Sequence, residues 1–528
     1  MVKLLQNSFG LAIVAAYLIS TLLIGWLSRR RISRSNDFLN ASRSLPLWVA
    51  AAAFLAANSG AIEIVGLSAM AAQYGVQAFH FYWIGAIPGM IFLSGFMLPV
   101  YMRSGVRSLP EYLERRFDPR VRQLNAWLLL FSVAALSGIC LYTTGQVLHV
   151  AVGWSYETGA SLAAAIVLIY VMLGGLRATI YNEVFQLVVI VAGLLPLLAH
   201  RGTIARSLAD TISTHNHLWV CLKPVSPAAK LDQFGVVLGL GFVLSFSYWC
   251  TDFVLMQRAL AAKTIAAGRL VPLLAGFGKL GFSLLVIVPA LGAAAVLGRH
   301  MPSSFDQTLP ALMAANYGPV LLGLGITALL ASLMSSFAAN ISAFSALWTE
   351  EIYRRSIRTH ATEAHYLLVG RISIVAALAA SMAISRLVFS FHNLMEFVQL
   401  IFSFLSAPFF AIFLIGMFTR RGTSRGAIAG LTSGVAVALV HHALFARGIL
   451  HYGSLMSANF YAAIYAFSAS MVVGVLFSWT RERKTDSELD LLVFSRAGGS
   501  TLAPLSRLWW VLALSLLATC AFLNYLWR

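Results

Sequence analysis

Charge is what this chain of 528 residues has least of: Asp, Glu, Lys and Arg together make up 11%, against about 25% in a soluble domain. Acidic residues are the scarcer kind, 19 against 37 lysines and arginines, which leaves a formal charge of +18. Cysteine is rare as well. Four are present, Cys140, Cys221, Cys250 and Cys520, and three of them lie in apolar runs, so a disulfide framework is not indicated. No phosphate loop occurs. The nearest approach, "AGFGKLG", lacks the first glycine and the Ser or Thr after lysine, which argues against an ATP-driven pump. The twelve histidines show no metal-ligand spacing, and an enzyme is not expected. Long hydrophilic stretches are missing too, the longest being 200–233 and 481–506.

What remains is apolar. Hydrophobic residues make up 59% of the chain. A helix crossing a hydrocarbon core about 30 Å thick needs roughly 20 apolar residues. Fourteen segments meet that need: 8–28, 46–72, 79–102, 123–148, 156–174, 178–200, 233–258, 270–298, 308–352, 365–388, 393–418, 425–446, 458–480 and 507–526. The run 11–26 is read as a retained first helix, because its arginines follow the apolar stretch and Ser28-Arg29-Arg30 is no cleavage site. The ninth segment is too long for one crossing. It is expected to include an external helix near Gln307–Asn316 and a cytoplasmic extension through Arg355.

The excess of cations orients the segments. With the N-terminus outside, 26 of the 37 cations fall in cytoplasmic loops, nine lie outside, and Lys279 and Arg371 sit within helices. Cytoplasmic loops retain cations, so both termini are expected outside and the +18 charge needs no nucleic-acid partner.

Within the apolar segments, polar groups are costly and mark function. Asn58, Ser59, Gly60 and Glu63 interrupt the second span in "AANSGAIEIVG". Gly239, Gly241, Ser245, Ser247 and Tyr248 interrupt the seventh in "GLGFVLSFSYWCTD". Both read as places where a helix could unwind and offer carbonyl oxygens to a hard cation such as Na+; helix packing is the plainer reading of either alone. Glu63 and Lys279 lie deepest among the charges, either as a buried ion pair or as ligand contacts. Glu183 and Asp252 lie nearer the cytoplasmic ends, and Asp252 is expected to pair with a cytoplasmic arginine. Ser332, Ser335 and Ser336 share one helix face, where hydroxyls either ligate Na+ or bond back to the helix.

Four stretches, "GGLRATIYNEVFQ", "YWCTDFVLMQRALAAKT", "ASLMSS" followed by "WTEEIYRR", and "FVQLIFSFLSAPFFAIFLIGMF", resemble the sodium:solute symporter family, from about residue 8 to residue 430. The resemblance implies an all-α membrane protein with the LeuT-type fold, two inverted repeats of five helices within about 14 transmembrane helices. The division it implies is an extra helix and cytoplasmic loop at 1–45, the first repeat at 46–200, an external loop at 201–232, the second repeat at 233–418, and three accessory helices at 419–528. It implies a sodium site from the carbonyls of Ala56 and Ser59, the carbonyl of Ser332 and the hydroxyls of Ser335 and Ser336. A further sodium site, known in part of the family, is matched at its acid by Glu183, but Ala339 stands where that site has a serine. Solute contacts map to Asn58, Tyr248, Lys279 and Gln399. The sugar-transporting branch has a glutamate where this chain has Tyr82; here the acid is Glu63, so Tyr82 and Glu63 join the candidate set, and the departure sets the implied solute apart from glucose and galactose.

The expected function is sodium-coupled symport importing a small polar solute, a sugar or related polyhydroxylated compound, by alternating access. A symporter for an amino acid or carboxylate, and a membrane sensor on the same fold, are the alternatives. Na+ is the expected coupling ion, the bilayer of the cell membrane the expected setting, and no nucleic acid or obligate protein partner is implied.

Overall fold

The structure, a computed structural model, describes residues 8–29, 45–106, 108–199, 231–298, 301–391, 393–479, 484–494 and 505–527. The arginine-rich loop 30–44, residues 200–230 with Cys221, and residues 495–504 lie outside the described residues.

Helices dominate, for the reason the composition dictates: in a bilayer the backbone must satisfy its own hydrogen bonds. In chain order the apolar helices are α1 (Ser8–Arg29), α2 (Leu47–Asn58), α3 (Ile62–Phe79), α4 (Phe81–Arg103), α5 (Pro119–Val152), α6 (Tyr156–Ala199), α7 (Gly235–Thr251), α8 (Phe253–Leu260), α9 (Ile265–Leu291), α10 (Pro319–Ile357), α11 (Glu363–Val388), α12 (Leu394–Phe418), α13 (Ser424–Ala446), α14 (Leu455–Trp479) and α15 (Arg507–Leu526). Among the described residues ten helices are long and apolar enough to cross a membrane. Two bent pairs, α2 with α3 at 57° and α7 with α8 at 53°, pass the same test together. The protein is a multi-pass membrane protein.

One correction to the expected elements follows a point of agreement. Segments 156–174 and 178–200 share one helical stretch of 44 residues, but its apolar parts, Tyr156–Ile169 and Thr179–Leu198, are distinct. A straight helix that long would span about 66 Å. Its contacts show that it folds back. Gly159 packs on Leu148 and Gly145 of α5, so this half runs antiparallel to α5. In the second half Thr179 meets Ser342, and Gly193 meets Leu324 and Ala328, which makes it antiparallel to α10. The start of α5 lies beside the end of α10, through Arg122 and Glu351, so α5 and α10 are themselves antiparallel. The two halves of α6 therefore run in opposite directions.

The correction concerns α7. Gly239 and Gly241 do not unwind: they sit in wide-turn helix, Gly235–Leu244. A Cβ on Gly239 would come 2.7 Å from Phe460, and one on Gly241 would come 2.6 Å from Ile84. These glycines serve close helix packing. The chain breaks later, at Asp252, whose carboxylate accepts the Leu255 amide at 2.8 Å and caps α8. Nor does Asp252 pair with an arginine among the described residues. Arg258, six residues on, is taken by Glu183.

Burial separates core from rim. The apolar windows of α10 and α12 are 83% buried, those of α11 and α13 only 28%, and that of α15 22%. Exposed Leu439, Val440, Leu476, Phe477 and Leu514 on the outer helices suit a lipid surface. The helix Thr308–Asn316 precedes α10, and α10 itself continues in wide turns to Ile357.

Cations gather at one end. Arg116 donates to the carbonyls of Gly416, Thr419 and Gly422 at 2.5, 2.8 and 3.1 Å. Arg122 pairs with Glu351 and with Glu114, Arg103 donates to the Asp490 carbonyl at 2.7 Å, and Arg420 pairs with Asp486 and Asp490 at 3.1 and 3.0 Å. Burying Arg116 is tolerable because each donor group has an acceptor.

Candidate substrate and sodium sites

The break between α2 and α3 positions both sites. Ser59 leaves helical geometry (φ −78°, ψ 51°), while its hydroxyl donates back to the Leu55 carbonyl at 2.8 Å. Gly60 follows, pressed against α10. A Cβ there would lie 1.6 Å from the Ser336 Oγ, so only glycine lets the break and the serine face approach.

On the α10 side, the Ser332 hydroxyl donates to the Ser59 carbonyl at 2.9 Å and the Ser336 hydroxyl to the Ala57 carbonyl at 3.4 Å. The Ala56 carbonyl accepts the Ser59 amide at 3.1 Å and keeps a second lone pair. Ser335 is buried, and its hydroxyl has no hydrogen-bond partner. An orphaned hydroxyl beside the ends of a broken helix fits a small hard cation, which is held by oxygen ligands.

On the other side of the break lies a cavity of about 520 Å³. Asn58, Glu63, Tyr82, Tyr248 and Gln399, five of the six expected solute contacts, line it together. Lys279 does not. It stands behind Glu63, with its Nζ 2.6 Å from Glu63 Oε2, near the faces of Trp249 and Tyr82 at 5.4 and 5.6 Å. The Tyr82 hydroxyl donates to the other oxygen of Glu63. Glu63 is thus held from both sides.

Asn58 Nδ2 donates to the Tyr248 hydroxyl at 2.6 Å. The ring of Tyr248 stacks on Phe402 at 5.2 Å and meets Trp249 edge-on at 5.3 Å. Asn58 Oδ1 and Gln399 Oε1 are buried acceptors without a donor. A second cavity, of about 420 Å³, is lined by Gly60, Asp252, Ser336, Ala339 and Asn340 among others. Asn58, Ile62 and Tyr248 border both cavities, so the Asn58–Tyr248 bond lies in the partition between them.

Sequence reasoning missed Trp249, Phe402 and Met395 as lining groups. Phe402 carried a signal, since it follows Gln399 by three residues on one helix face. The partner of Glu183 carried none: Arg258 lies 75 residues away in the chain.

Comparisons with known proteins identify the family and the fold. The model of the sodium:solute symporter family matches residues 38–434. The chain belongs to the sodium:solute symporter family. It is similar to the sodium/glucose cotransporter of Vibrio parahaemolyticus, 26% identical over 78% of this chain and 81% of that one. It is also similar to sodium/glucose cotransporter 4 of Danio rerio, 27% identical over 83% of this chain and 72% of that one. Among solved structures, a Na+-coupled sialic acid symporter in a substrate-bound outward-open state superposes with a TM-score of 0.76 at 19% identity, covering 90% of this chain and 99% of that one. Mhp1, a nucleobase-cation-symport-1 family transporter, superposes with a TM-score of 0.55 at 12% identity over 87% of this chain and 99% of its own. The fold is LeuT-type, and the symporter couples solute movement to sodium.

Proposed function

We propose that this symporter imports a neutral polyhydroxylated solute, a sugar or a close relative, with sodium held at the junction of α2, α3 and α10. The observation that carries the reading is the cavity wall. It pairs an aromatic surface, Tyr248 on Phe402, with the unfilled acceptors Asn58 Oδ1 and Gln399 Oε1. Ring hydroxyls donate to such acceptors, while the apolar face of a pyranose lies on an aromatic ring. Lys279 is spent on Glu63, and no lysine or arginine lines the cavity among the described residues. A carboxylate or amino-acid solute would enter without a counter-cation, so the sugar reading is preferred.

Sodium takes the carbonyls of Ala56, Ser59 and Ser332 and the hydroxyls of Ser335 and Ser336. It would give the Ser335 hydroxyl the partner it lacks, while the Ser336 hydroxyl, donating its proton to the Ala57 carbonyl, keeps lone pairs for the ion. The chain crosses the bilayer fourteen times, counting α1, the two halves of α6 and each bent pair as crossings, with both termini outside. The extra helix at 1–45, the repeats at 46–200 and 233–418, and the accessory helices at 419–528 are the division that follows.

The test is a thermal-shift screen of monosaccharides and polyols on purified protein, in sodium against potassium buffer. A ligand that binds the native state raises its apparent stability. Neutral sugars should stabilise in sodium, and Ser335→Ala should remove that sodium-dependent stabilisation. Stabilisation by amino acids or carboxylates, and not by sugars, would overturn the solute assignment.

A further inference from the structure

The family resemblance implies a further sodium site on this half of the molecule, built from an acid on α6 and a serine late in α10, and the residues present do not fit it. Glu183 is the matching acid. Its two oxygens accept from Arg258, at Nη2 and, at 3.3 Å, at Nε, and both side chains are 0% exposed. The remaining guanidinium nitrogen, Nη1, donates to the Val254 carbonyl at 3.0 Å and to Gln257 Oε1 at 3.2 Å. Four of the five guanidinium N–H groups therefore have acceptors, and the carboxylate is already neutralised.

The facing wall offers no uncommitted oxygen. Thr179 opposite Ser342, and Gly193 opposite Leu324 and Ala328, fix the antiparallel register of α6 on α10. In that register Glu183 lies level with 334–338, where the only hydroxyls, those of Ser335 and Ser336, belong to the sodium site proposed above. Further along α10, the Ser342 hydroxyl lies 3.3 Å from the Thr179 hydroxyl and shares a hydrogen bond with it. A sodium ion beside Glu183 would have to displace a rigid bidentate partner and would find few oxygen ligands that are not already engaged.

We infer that Arg258 is a tethered cation that stands in for a second sodium, so that the transporter binds one sodium ion per cycle. The inference rests on the sodium site proposed above and says what accompanies it. It also gives the pair a role in the cycle. Arg258 belongs to α8, the cytoplasmic half of the broken helix of the second repeat, and Glu183 to α6 of the first. The pair ties the two repeats with a charge that never leaves the protein.

The test counts sodium directly, with radiolabelled Na+ as the probe, in equilibrium binding to the purified full-length protein. Wild type should bind one ion per chain with a Hill coefficient of one. Ser335→Ala should abolish binding. Glu183→Gln should leave the count at one, and the pair Arg258→Gln with Ala339→Ser, which frees the acid and supplies a hydroxyl, should raise it to two. Two ions on wild type, falling to one in Glu183→Gln, would overturn the inference and leave the symport reading intact. No saturable binding to wild type would overturn both. If the double variant does not fold, the wild-type count decides.

Discussion

Gly60→Ala is the perturbation that reads the sodium junction most directly. A Cβ at this position would fall 1.6 Å from Ser336 Oγ and 2.4 Å from Ser336 Cβ. These separations are far inside van der Waals contact, and the obstacle is the short side chain of a buried helix, not the tip of a flexible one. Forcing an extra methyl into a packed interior costs about 1–3 kcal/mol. Here the side chain that must move is also a proposed sodium ligand. Sodium affinity should therefore fall at least tenfold, which corresponds to about 1.4 kcal/mol. The assay is the thermal midpoint as a function of sodium at constant ionic strength, since the stabilisation by a ligand grows with its concentration relative to Kd. Gly281→Ala is the control, because nothing lies within 4 Å of a Cβ at that site. The double variant Gly60→Ala with Ser336→Gly removes both clashing atoms. It should recover the midpoint measured without sodium but not the sodium response. Unchanged sodium affinity in Gly60→Ala would refute the packing of the break on α10 and, with it, the ligand set.

Three further outcomes are expected. Glu63→Gln keeps the shape of the clamp but removes the charge opposite Lys279, so solute affinity or selectivity should change in protein that still inserts; normal transport with unaltered selectivity would remove Glu63 from the pocket. Asp306 lies in the connection before Thr308–Asn316, where burial raises its carboxyl from the ordinary 3.8 to about 7 despite bonds from the Leu394 amide and Tyr142. An acid whose pKa is raised by folding stabilises the folded state fully below its unfolded value and loses that contribution as pH rises through the folded one. The midpoint of wild type should then fall between pH 5 and 8 more steeply than that of Asp306→Asn, and equal slopes would exclude Asp306 as the cause. A cysteine replacing exposed Arg120, in a background without Cys221, should resist a membrane-impermeant thiol reagent in intact cells, and rapid labelling would reverse the orientation.

The helices were legible because a bilayer demands long apolar runs, and the break at Ser59–Gly60 because serine and glycine weaken a helix where nothing else excuses them. The break at Asp252 was misplaced. Glycine in a membrane helix signals either unwinding or close packing, and Gly239 and Gly241 take the second course against Phe460 and Ile84. The real cue was the aspartate itself, an N-cap residue directly before Phe253. Candidate solute residues were legible as types, since Asn58, Glu63 and Gln399 are polar groups in costly places. Their geometry was not. That Lys279 stands behind Glu63 and not in the cavity depends on the approach of α9 to α3, and that Arg258 serves Glu183 depends on the packing of α8 on α6. Neither is encoded in local spacing.

The partition between the two cavities is thin. Its polar closure is a single hydrogen bond, from Asn58 to the Tyr248 hydroxyl. A bond of that kind is worth about 0.5–1.5 kcal/mol net, so thermal motion alone would part it a substantial fraction of the time. Bond strength therefore cannot be what keeps transport stoichiometric. If the ring of Tyr248, clasped by Phe402 and Trp249, must swing before anything passes, the latch is aromatic packing and the hydrogen bond merely marks where it rests. Tyr248→Phe should then leave a tight carrier, whereas Phe402→Ala, with the hydroxyl intact, should leave one that leaks sodium without solute.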